Sequence, residues 1–394
     1  MSGRLVSRTW QHDPSLDAPP RYRRACAYEA FIPDPVSGMA VDLPGDLAGT
    51  VSEAEKAISR LNSEAGPALA PLARLLLRTE SIASSKVEGL QVGTRGLARA
   101  EAQDATGRRI GADAAEILAN IDAMQFAIEE ATVGAFTAGS MTEIHRVLMA
   151  RAPNAAVAGR VRERQNWIGG NDYNPCGADF VPPPDEELED LLADVARFAN
   201  DDELPALVQA AIMHAQFETI HPFEDGNGRT GRALIHVILR RRGLAPTFVP
   251  PISVAFARRK DVYIRGLVSF RDDRINDWIM SFASSAMRAA SLAGRYIDRV
   301  LALQNEWRER LRQRVDPRAD AAAWALIDLL PGHPVITVPV AVAATGRTKP
   351  AVTNAVEQLA LAGVLTPLDE SKRNRAWEGD GLLDLIEGLE VGED

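Results

Sequence analysis

The chain has 394 residues, of which 46% are hydrophobic and 25% charged, and its formal net charge is −10. A chain of this length can form two or three domains with buried cores, and its acidic balance argues against nonspecific binding to nucleic acid. No apolar run approaches the roughly 18 residues that a membrane helix needs, and the polar N-terminal stretch does not read as a secretion signal.

The chain contains two cysteines, Cys26 and Cys176. Two cysteines cannot build a disulfide framework or a zinc site unaided. We therefore expect the protein to reside in a reducing cytoplasm.

The first part of the chain reads as an arm followed by helices. Residues 1 to about 48 carry scattered prolines, which predicts an extended arm that packs against other elements instead of forming a core. Helical patterns follow nearly without interruption, and no internal repeat is visible. They cover about 51–63, 67–89, 110–132, 139–150, 185–199, 204–219, 230–242 and 273–315. The predicted fold class is therefore mainly α.

A stretch of turn residues interrupts the helical patterns at 164–184, RQNWIGGNDYNPCGADFVPPP. Short runs that favour strands flank the turn residues at 169–172, and prolines end the segment. The pattern predicts a small β-hairpin.

The segment His221–Arg232, HPFEDGNGRTGR, carries the strongest concentration of chemistry. Its glycines spell the dinucleotide fingerprint, but the preceding pattern at 204–219 is a helix where that fingerprint needs a strand. It also begins like a calcium loop, yet Arg229 and Thr230 occupy positions that require an oxygen ligand and a glycine. No Lys-Ser/Thr pair follows the glycines, which excludes a Walker-type phosphate loop.

The remaining interpretation is a short anion-binding loop between two helices. Glycines before a buried helix expose backbone N–H groups, and the helix dipole favours an anion there. Arg229 and Arg232 are suited to phosphate oxygens, and Asp225 can hold a hard cation that bridges phosphates. His221 is then a candidate base for a hydroxyl that attacks a phosphate.

These twelve residues fill every specified position of H-x-F-x-[DE]-G-N-G-R-x-x-R, and over about residues 20–300 the chain resembles the Fic (filamentation induced by cAMP) family. The resemblance implies an enzyme that transfers AMP from ATP to a Ser, Thr or Tyr hydroxyl of a protein and releases pyrophosphate. It implies His221 as general base, Asp225 as Mg²⁺ ligand and Phe223 as a core anchor. It also implies ATP contacts from Gly226, Asn227, Gly228, Arg229, Thr230, Gly231 and Arg232.

A second motif, Ser84-x-x-x-Glu88-Gly89, resembles the inhibitory motif of Fic proteins that carry their inhibitor before the catalytic core. The resemblance implies that Glu88 pairs with the Arg232 guanidinium, so that ATP binds with its α-phosphate misaligned for attack. The alternative is that Glu88 is an ordinary exposed helix residue.

The resemblance implies roles for two further segments. Trp167, Ile168, Gly169 and Gly170 resemble the flap with which Fic proteins pair the extended backbone of their target, although an ordinary surface hairpin remains the alternative. Tyr263 lies where family members often place a residue near the adenine, although an aromatic residue at helical spacing is usually part of the core.

The C-terminal residues read as helix, turn, helix and polar-tipped hairpin, an order that resembles a winged helix. DNA binding would need basic side chains on the second helix. Arg347 and Lys349 lie near its start, while Lys372, Arg373 and Arg375 fall at the tip of the wing. A protein-interaction or packing module is the favoured alternative.

Three regions are therefore expected: an arm and helical domain with the inhibitory helix (1–108), a Fic core with a hairpin flap (109–315) and a winged-helix-like domain (316–394). The favoured function is AMP transfer from ATP, with Mg²⁺, to the protein itself or to another protein, restrained by Glu88. The alternative is a DNA-binding regulator whose Fic core senses nucleotide or removes AMP. A homodimer is compatible with either function, and no membrane partner is expected.

Overall fold

The computed structural model describes residues 3–12, 14–15, 17–63, 69–105, 107–129, 132–368 and 375–391. Within these ranges the chain is mainly α, as predicted. Helices α1 to α11 are Gly45–Ser63, Ala70–Val87, Thr94–Asp104, Ala112–Glu129, Ala138–Met149, Leu188–Ala199, Ala206–Ile220, Asn227–Arg241, Ile252–Arg258, Lys260–Arg271 and Ile275–Arg314. Helices α12 to α15 are Ala322–Leu329, Val338–Thr345, Lys349–Leu361 and Leu382–Val391.

Five short strands accompany the helices in the described residues. Strands β1 and β2 form an antiparallel pair near the N-terminus, and β3, β4 and β5 form a three-stranded sheet in the order β3-β5-β4 near the C-terminus. Their bounds, from β1 to β5, are Gly3–Trp10, Cys26–Pro33, Val335–Thr337, Leu365–Pro367 and Ala376–Gly379.

The N-terminal arm differs from its prediction. It forms a β-hairpin in which Gly3 lies opposite Pro33 and Trp10 opposite Cys26. The connecting residues contain no tight-turn dipeptide of the kind that announces a hairpin, so local sequence gave no indication that the two runs pair.

The segment that carries the His221–Arg232 motif is built on a buried pair of helices. Every residue of α7 from Leu207 to Phe217 is buried, and α8 is buried over most of its length because it packs directly against α7. The long helix α11 supports this pair through Trp278, whose Nε1 donates to the Ala211 carbonyl at 2.8 Å. Gly266 on α10 allows the approach, because a Cβ there would lie 2.6 Å from the Trp278 ring.

The C-terminal elements pack against α11 and against α2. Thr337 caps α13 by accepting from the Val340 N–H, and α13 ends at the left-handed Gly346. The 3-10 turn at Leu330–Gly332 lies on the start of α2, where a Cβ at Gly332 would meet Pro71 at 3.1 Å. The expected wing-tip residues Lys372 and Arg373 lie outside the described residues.

A search of the described helices finds none that is both long and apolar enough to cross a membrane.

Candidate active site

A short loop joins α7 to α8 and is fixed by its own residues. Helix α7 ends at His221, which is left-handed with φ of 49°, and Gly226 is left-handed with φ of 74° just before α8. Asn227 closes the loop on Phe223. Its Nδ2 donates to the Phe223 carbonyl and its Oδ1 accepts from the Phe223 N–H, each at 2.8 Å.

The Phe223 ring is buried beneath this loop and stacks on His145 of α5, with ring centroids 3.8 Å apart. The Gly159 N–H donates to His145 Nδ1 at 3.1 Å, and Nε2 lies 3.0 Å from the Asp225 carbonyl. These contacts place the ring proton on Nε2. Burial lowers the pKa of His145 to about 4, so the ring is neutral near pH 7 and acts as a fixed support.

Backbone N–H groups at the start of α8 face the site, since the first turn of a helix has no internal partners for them. Gly226 lets the loop approach α5, because a Cβ there would lie 3.0 Å from Met149 Sδ. A Cβ at Gly228 would collide with the carboxylate of Glu88. A carboxylate of this chain therefore lies against the helix N-terminus.

Glu88 also pairs with Arg232, whose side chain is 1% exposed. Arg232 donates from NH2 to Glu88 Oε1 at 2.6 Å, and it contacts Ser84 through Nε to Oγ at 2.8 Å and through NH2 to the carbonyl at 2.9 Å. Burial alone would raise the pKa of Glu88, but the positive charge of Arg232 lowers it below its usual value. Burial alone would lower the pKa of Arg232, but the charge of Glu88 raises it.

Arg229 lies one turn earlier on the same side of α8. Its NH1 donates to Glu116 Oε2 on α4 at 3.0 Å, and its NH2 lies 3.7 Å from Asp225 Oδ1. The guanidinium is almost fully buried. Both arginines are therefore held by carboxylates, which bind them as phosphate oxygens would.

His221 lies at the edge of the loop, and its side chain lines both of the cavities beside it. Its carbonyl accepts from Arg162 Nε at 3.0 Å and from Asn166 Nδ2 at 3.2 Å, which fixes the backbone. Its buried Nδ1 has no hydrogen-bond partner among the described residues. Burial, together with the positive charge of Arg162, lowers the pKa of His221 to about 4. The imidazole is therefore neutral near pH 7 and able to accept a proton.

Asp225 is the carboxylate nearest the start of α8. Its Oδ1 accepts from the Gly226 N–H at 2.6 Å, Asn154 Nδ2 lies 3.3 Å from Oδ2, and the side chain is 49% exposed. Within the described ranges no group of three or more His, Cys, Asp or Glu side chains could hold a metal ion. One accessible carboxylate fits the way Mg²⁺ binds proteins, through one or two carboxylates with the other positions filled by water and phosphate oxygens.

Two cavities meet at Glu88. One of about 310 Å³ runs along the loop past Asp225, and a larger one of about 910 Å³ extends toward α10. Three residues line both: Glu88, His221 and Gly228. Thr230 and Gly231 line neither cavity.

Tyr263 lies in the wall of the larger cavity and is 4% exposed. Its hydroxyl is 2.9 Å from His214 Nε2, and burial lowers the pKa of His214 to about 3. Ile264 and Leu267 extend the wall as an apolar surface.

The flap contains a single bridge, between Ile168 and Phe180, and is therefore shorter than the predicted hairpin. Ile168 donates to the Phe180 carbonyl at 2.8 Å, and its own carbonyl accepts from Asp179 and Phe180. Gly169 and Gly170 both have φ of 75°, which turns the chain away from strand geometry. Ile168 lines the larger cavity, whereas Trp167 packs edge-on against Trp10 of β1.

The N-terminal hairpin is fastened to the flap region by contacts that the sequence analysis did not predict. The expectation from two cysteines was no disulfide framework and a reducing location, but in the structure Cys26 of β2 is bonded to Cys176. The rings of Tyr22 and Tyr173 stack at 5.1 Å, and the Phe31 N–H donates to a backbone carbonyl of the segment beyond the flap. Pairing of two distant cysteines depends on how the chain folds back, which their spacing does not reveal.

Several residues at the site carried no local motif. Glu116, Asn154, Arg162 and Asn166 lie 55 to 113 positions from their partners in the loop or on α8. Glu218 could have been found, since it precedes His221 by one helical turn.

Two protein-family models match parts of the chain. Residues 135–239 match the model of the Fic/DOC family, and residues 49–129 match the model of the Fic/DOC family N-terminal region. The first range contains the loop and both arginines, and the second contains Glu88.

Curated relatives resemble part of the chain. It is 31% identical over 144 residues to protein adenylyltransferase fic-1 of Caenorhabditis elegans, which is 36% of this chain and 25% of the relative. It is 35% identical over 130 residues to protein adenylyltransferase Fic of Nematostella vectensis, which is 32% of this chain and 27% of the relative. The chain thus spans about a quarter of the length of each.

Solved structures resemble the fold. A Fic family protein from Desulfovibrio desulfuricans G20 superposes with a TM-score of 0.52 at 22% identity, over 86% of this chain and 98% of the other. A Fic domain containing signaling protein from Bacteroides thetaiotaomicron superposes with a TM-score of 0.50 at 20% identity, over 62% of this chain and 95% of the other. Residues 135–239 thus match the Fic/DOC family model and residues 49–129 the model of its N-terminal region, while the solved structures show that the fold is similar.

Proposed function

We propose that the protein is a protein adenylyltransferase that transfers AMP from ATP to a hydroxyl side chain and is held inactive by Glu88. The observation that carries the proposal is the 2.6 Å contact between Glu88 Oε1 and Arg232 NH2 beside the N-terminus of α8. The carboxylate of Glu88 lies where the start of a helix favours an anion, which supports both the proposed anion site and its inhibition.

His221 supplies the base in this reaction. A neutral imidazole takes the proton from the target hydroxyl as its oxygen attacks the α-phosphorus. The bond from the α-phosphorus to the bridging oxygen breaks, and pyrophosphate leaves with the bonding electrons. Because burial lowers the pKa of His221 to about 4, the base is available throughout the neutral pH range.

The start of α8 and two arginines would bind the triphosphate. Asn227 and Gly228 present backbone N–H groups, whereas the Gly226 N–H donates to Asp225 Oδ1. Arg229 and Arg232 present buried guanidinium donors. Phosphoryl transfer depends on alignment and charge stabilisation more than on covalent chemistry by the protein. Asp225 would hold Mg²⁺, which when bound neutralises charge on the phosphate oxygens.

Glu88 would inhibit by occupying Arg232. The carboxylate takes the guanidinium donors needed by a γ-phosphate, and its negative charge lies between the two cavities. Lys260 donates to the Val87 carbonyl at 2.5 Å, which fixes the end of α2 that presents Glu88. A nucleotide that enters must displace the carboxylate or bind with its phosphates out of line.

The target and the C-terminal region belong to the same proposal. Ile168 at the cavity rim and Tyr263 in its wall are suited to contact the target and the nucleoside. The C-terminal elements have the helix and sheet order of a winged helix, and we assign them a packing or protein-interaction role because they lie on α2 and α11. Self-modification and a homodimer belong to the same proposal.

The decisive experiment compares wild type, Glu88→Gly, Glu88→Gln and Glu88→Gly/His221→Ala with Mg²⁺ and ATP labelled on the α- or the γ-phosphate. We expect protein labelling from the α-phosphate only, with Glu88→Gly roughly 10- to 100-fold above wild type, the range of a typical coupling between two sites. Glu88→Gln keeps the shape but removes the charge, so it should fall between them.

Loss of His221 should abolish the label in the activated variant. Equal labelling of wild type and Glu88→Gly would contradict inhibition by Glu88. Label from the γ-phosphate, or none in the presence of cell lysate, would contradict AMP transfer.

A further inference from the structure

Glu218 lies at the base of the larger cavity, and neither the motif nor the proposed mechanism uses it. It is on α7, one turn before His221, and its side chain is 12% exposed. It lines the cavity together with Arg232 and Tyr263. A carboxyl group is therefore buried within the proposed nucleotide site.

The Glu218 carboxyl has an unused acceptor. Its Oε1 is enclosed against α8 and has no hydrogen-bond partner among the described residues. The side chain is 12% exposed, and this exposed part is what a ligand in the cavity can reach. His214 Nδ1, which likewise has no hydrogen-bond partner within the described part of the chain, lies 4.0 Å away, beyond hydrogen-bond distance. Buried polar atoms without a partner are rare in native proteins, and each calls for an explanation such as a bound water or ligand.

The neighbouring helix leaves room for this carboxyl. A Cβ at Gly231 on α8 would lie 2.5 Å from Glu218 Oε1, so any other residue there would displace the side chain. Burial raises the pKa of Glu218 to about 7, with a further increase from the charge of Glu88, while Arg232 and Arg271 lower it. The carboxyl thus loses its proton near neutral pH, and a hydrogen-bond donor arriving in the cavity would favour the charged form.

The chemistry of a nucleoside triphosphate limits what Glu218 can contact. Ionised phosphate oxygens carry no proton to donate, so the charged form of the Glu218 carboxyl gains no hydrogen bond from them. The nucleoside provides the donors, namely the ribose hydroxyls and the amino group of the base. Acidic side chains that bind ribose hydroxyls are a recurrent solution in nucleotide sites.

We propose that Glu218 accepts a hydrogen bond from the nucleoside of ATP and thereby helps to select the nucleotide. The inference rests on the proposed function in its choice of ligand. It adds a specificity-determining residue outside the motif, on the apolar side of the cavity where Tyr263, Ile264 and Leu267 would contact the base.

The test measures dissociation constants by calorimetry, because binding can be read whether or not AMP is transferred. Mg²⁺ complexes of ATP, 2′-deoxy-ATP, 3′-deoxy-ATP and inosine triphosphate are titrated into the Glu88→Gly protein. The same titrations are made with Glu218→Met, which keeps the volume without a carboxyl, and with Glu218→Gln, which keeps an acceptor. Glu189→Ala, at an exposed position on α6, is the matched control.

We expect the Glu88→Gly protein to bind one of the three analogues roughly 10- to 100-fold more weakly than ATP, the range for a hydrogen bond to a charged group. The analogue that loses affinity identifies the donor as a ribose hydroxyl or as the amino group. Glu218→Met should remove this difference, Glu218→Gln should retain part of it, and Glu189→Ala should leave it intact.

Two outcomes would overturn the inference. One is a Glu218→Met protein with the same nucleotide preferences as its parent, and the other is an equal gain in affinity for all four nucleotides, which would mean that the carboxylate only opposes the phosphates. If Glu88→Gly transfers AMP but Glu218→Met keeps its preferences, this inference alone fails. If nucleotides bind and are discriminated without AMP transfer, only the proposed reaction fails.

Discussion

The loop that carries His221 and the flap region are held together in opposite ways. In the loop, Asn227 bonds both backbone groups of a residue four positions away. In the flap region, the chain is tied to the N-terminal hairpin through the Cys26–Cys176 bond across a separation of 150 residues. Bonds between residues close in sequence give a recognisable sequence motif, whereas a bond between distant residues does not.

Substitution of Asn227 tests whether the loop depends on the bonds between Asn227 and Phe223. We expect Asn227→Ala to lower the free energy of unfolding by about 1–3 kcal/mol, since it leaves the buried N–H of Phe223 without a partner. The Phe223 carbonyl keeps the bond that Asn166 Nδ2 donates at 3.0 Å. AMP transfer in the Glu88→Gly background should be lost as well. Urea denaturation measures the first effect and α-phosphate labelling the second.

Asn305→Ala, on the exposed face of α11, is the control and should change stability by less than about 0.5 kcal/mol. If Asn227→Ala were as stable and active as that control, the loop would not depend on its own closure.

The flap can be tested with a pair of glycines that share one backbone conformation. Gly169 has φ of 75° and Gly177 has φ of 78°, so an alanine at either position bears the left-handed strain of about 1–2 kcal/mol. A Cβ at Gly169 would also collide with Asp179, whereas a Cβ at Gly177 would meet nothing within 4 Å. Gly169→Ala should therefore be the more destabilised in urea denaturation, and equal losses would show that the Asp179 contact does not constrain the flap.

A pH dependence of stability is also expected, and it originates around the loop that joins α7 to α8. Burial lowers the pKa of His145 and His221 to about 4 and that of His214 to about 3, so these rings stay neutral in the folded protein after they become charged in the unfolded chain. Stability should therefore fall as pH drops from about 6.5 toward 4.5, by up to about 1.4 kcal/mol per pH unit for each net proton.

Glu218 opposes part of this loss. Its pKa is raised to about 7, so the folded protein holds that proton over the same interval while the unfolded chain releases it. Denaturant titrations from pH 7 to 4.5 measure the net slope, and His12→Ala, at an exposed position of the N-terminal arm, should leave it unchanged. A flat profile over this interval would show that the loop histidines titrate alike in both states.

The sequence predicts the elements that depend on local contacts and misses those that depend on distant contacts. Helices α1, α2, α5, α7, α8 and α11 lie close to their predicted ranges, because their apolar periodicity is local. Helix α9 was missed because it is only seven residues long and follows two prolines, and α3 because Leu97 is its one large apolar residue. Helix α15 was missed although Leu382, Ile386 and Leu389 recur at helical spacing. The N-terminal hairpin was missed because no tight-turn dipeptide lies between its two strands.

In the candidate site too, the sequence predicts the residues of the local motif and misses their distant partners. The motif identifies the loop and both arginines. The resemblance of Ser84-x-x-x-Glu88 to the inhibitory motif implied the pairing of Glu88 with Arg232, and both Ser84 and Glu88 contact Arg232. The partners Glu116 and Arg162 come from other helices and loops, and nothing in their immediate neighbours marks them. Residues whose partners lie far away in the sequence can be identified only from the three-dimensional structure.

The bond between Cys26 and Cys176 turns the intervening chain into a closed covalent ring. Glu88 lies inside the ring, and His221 and Arg232 lie outside it. A single proteolytic cut inside the ring, for example at the exposed Arg108, would give two fragments that stay joined until the bond is reduced. Cleavage alone would therefore not release α2, and the segment that carries Glu88 would remain attached to the part of the protein that carries His221 and Arg232.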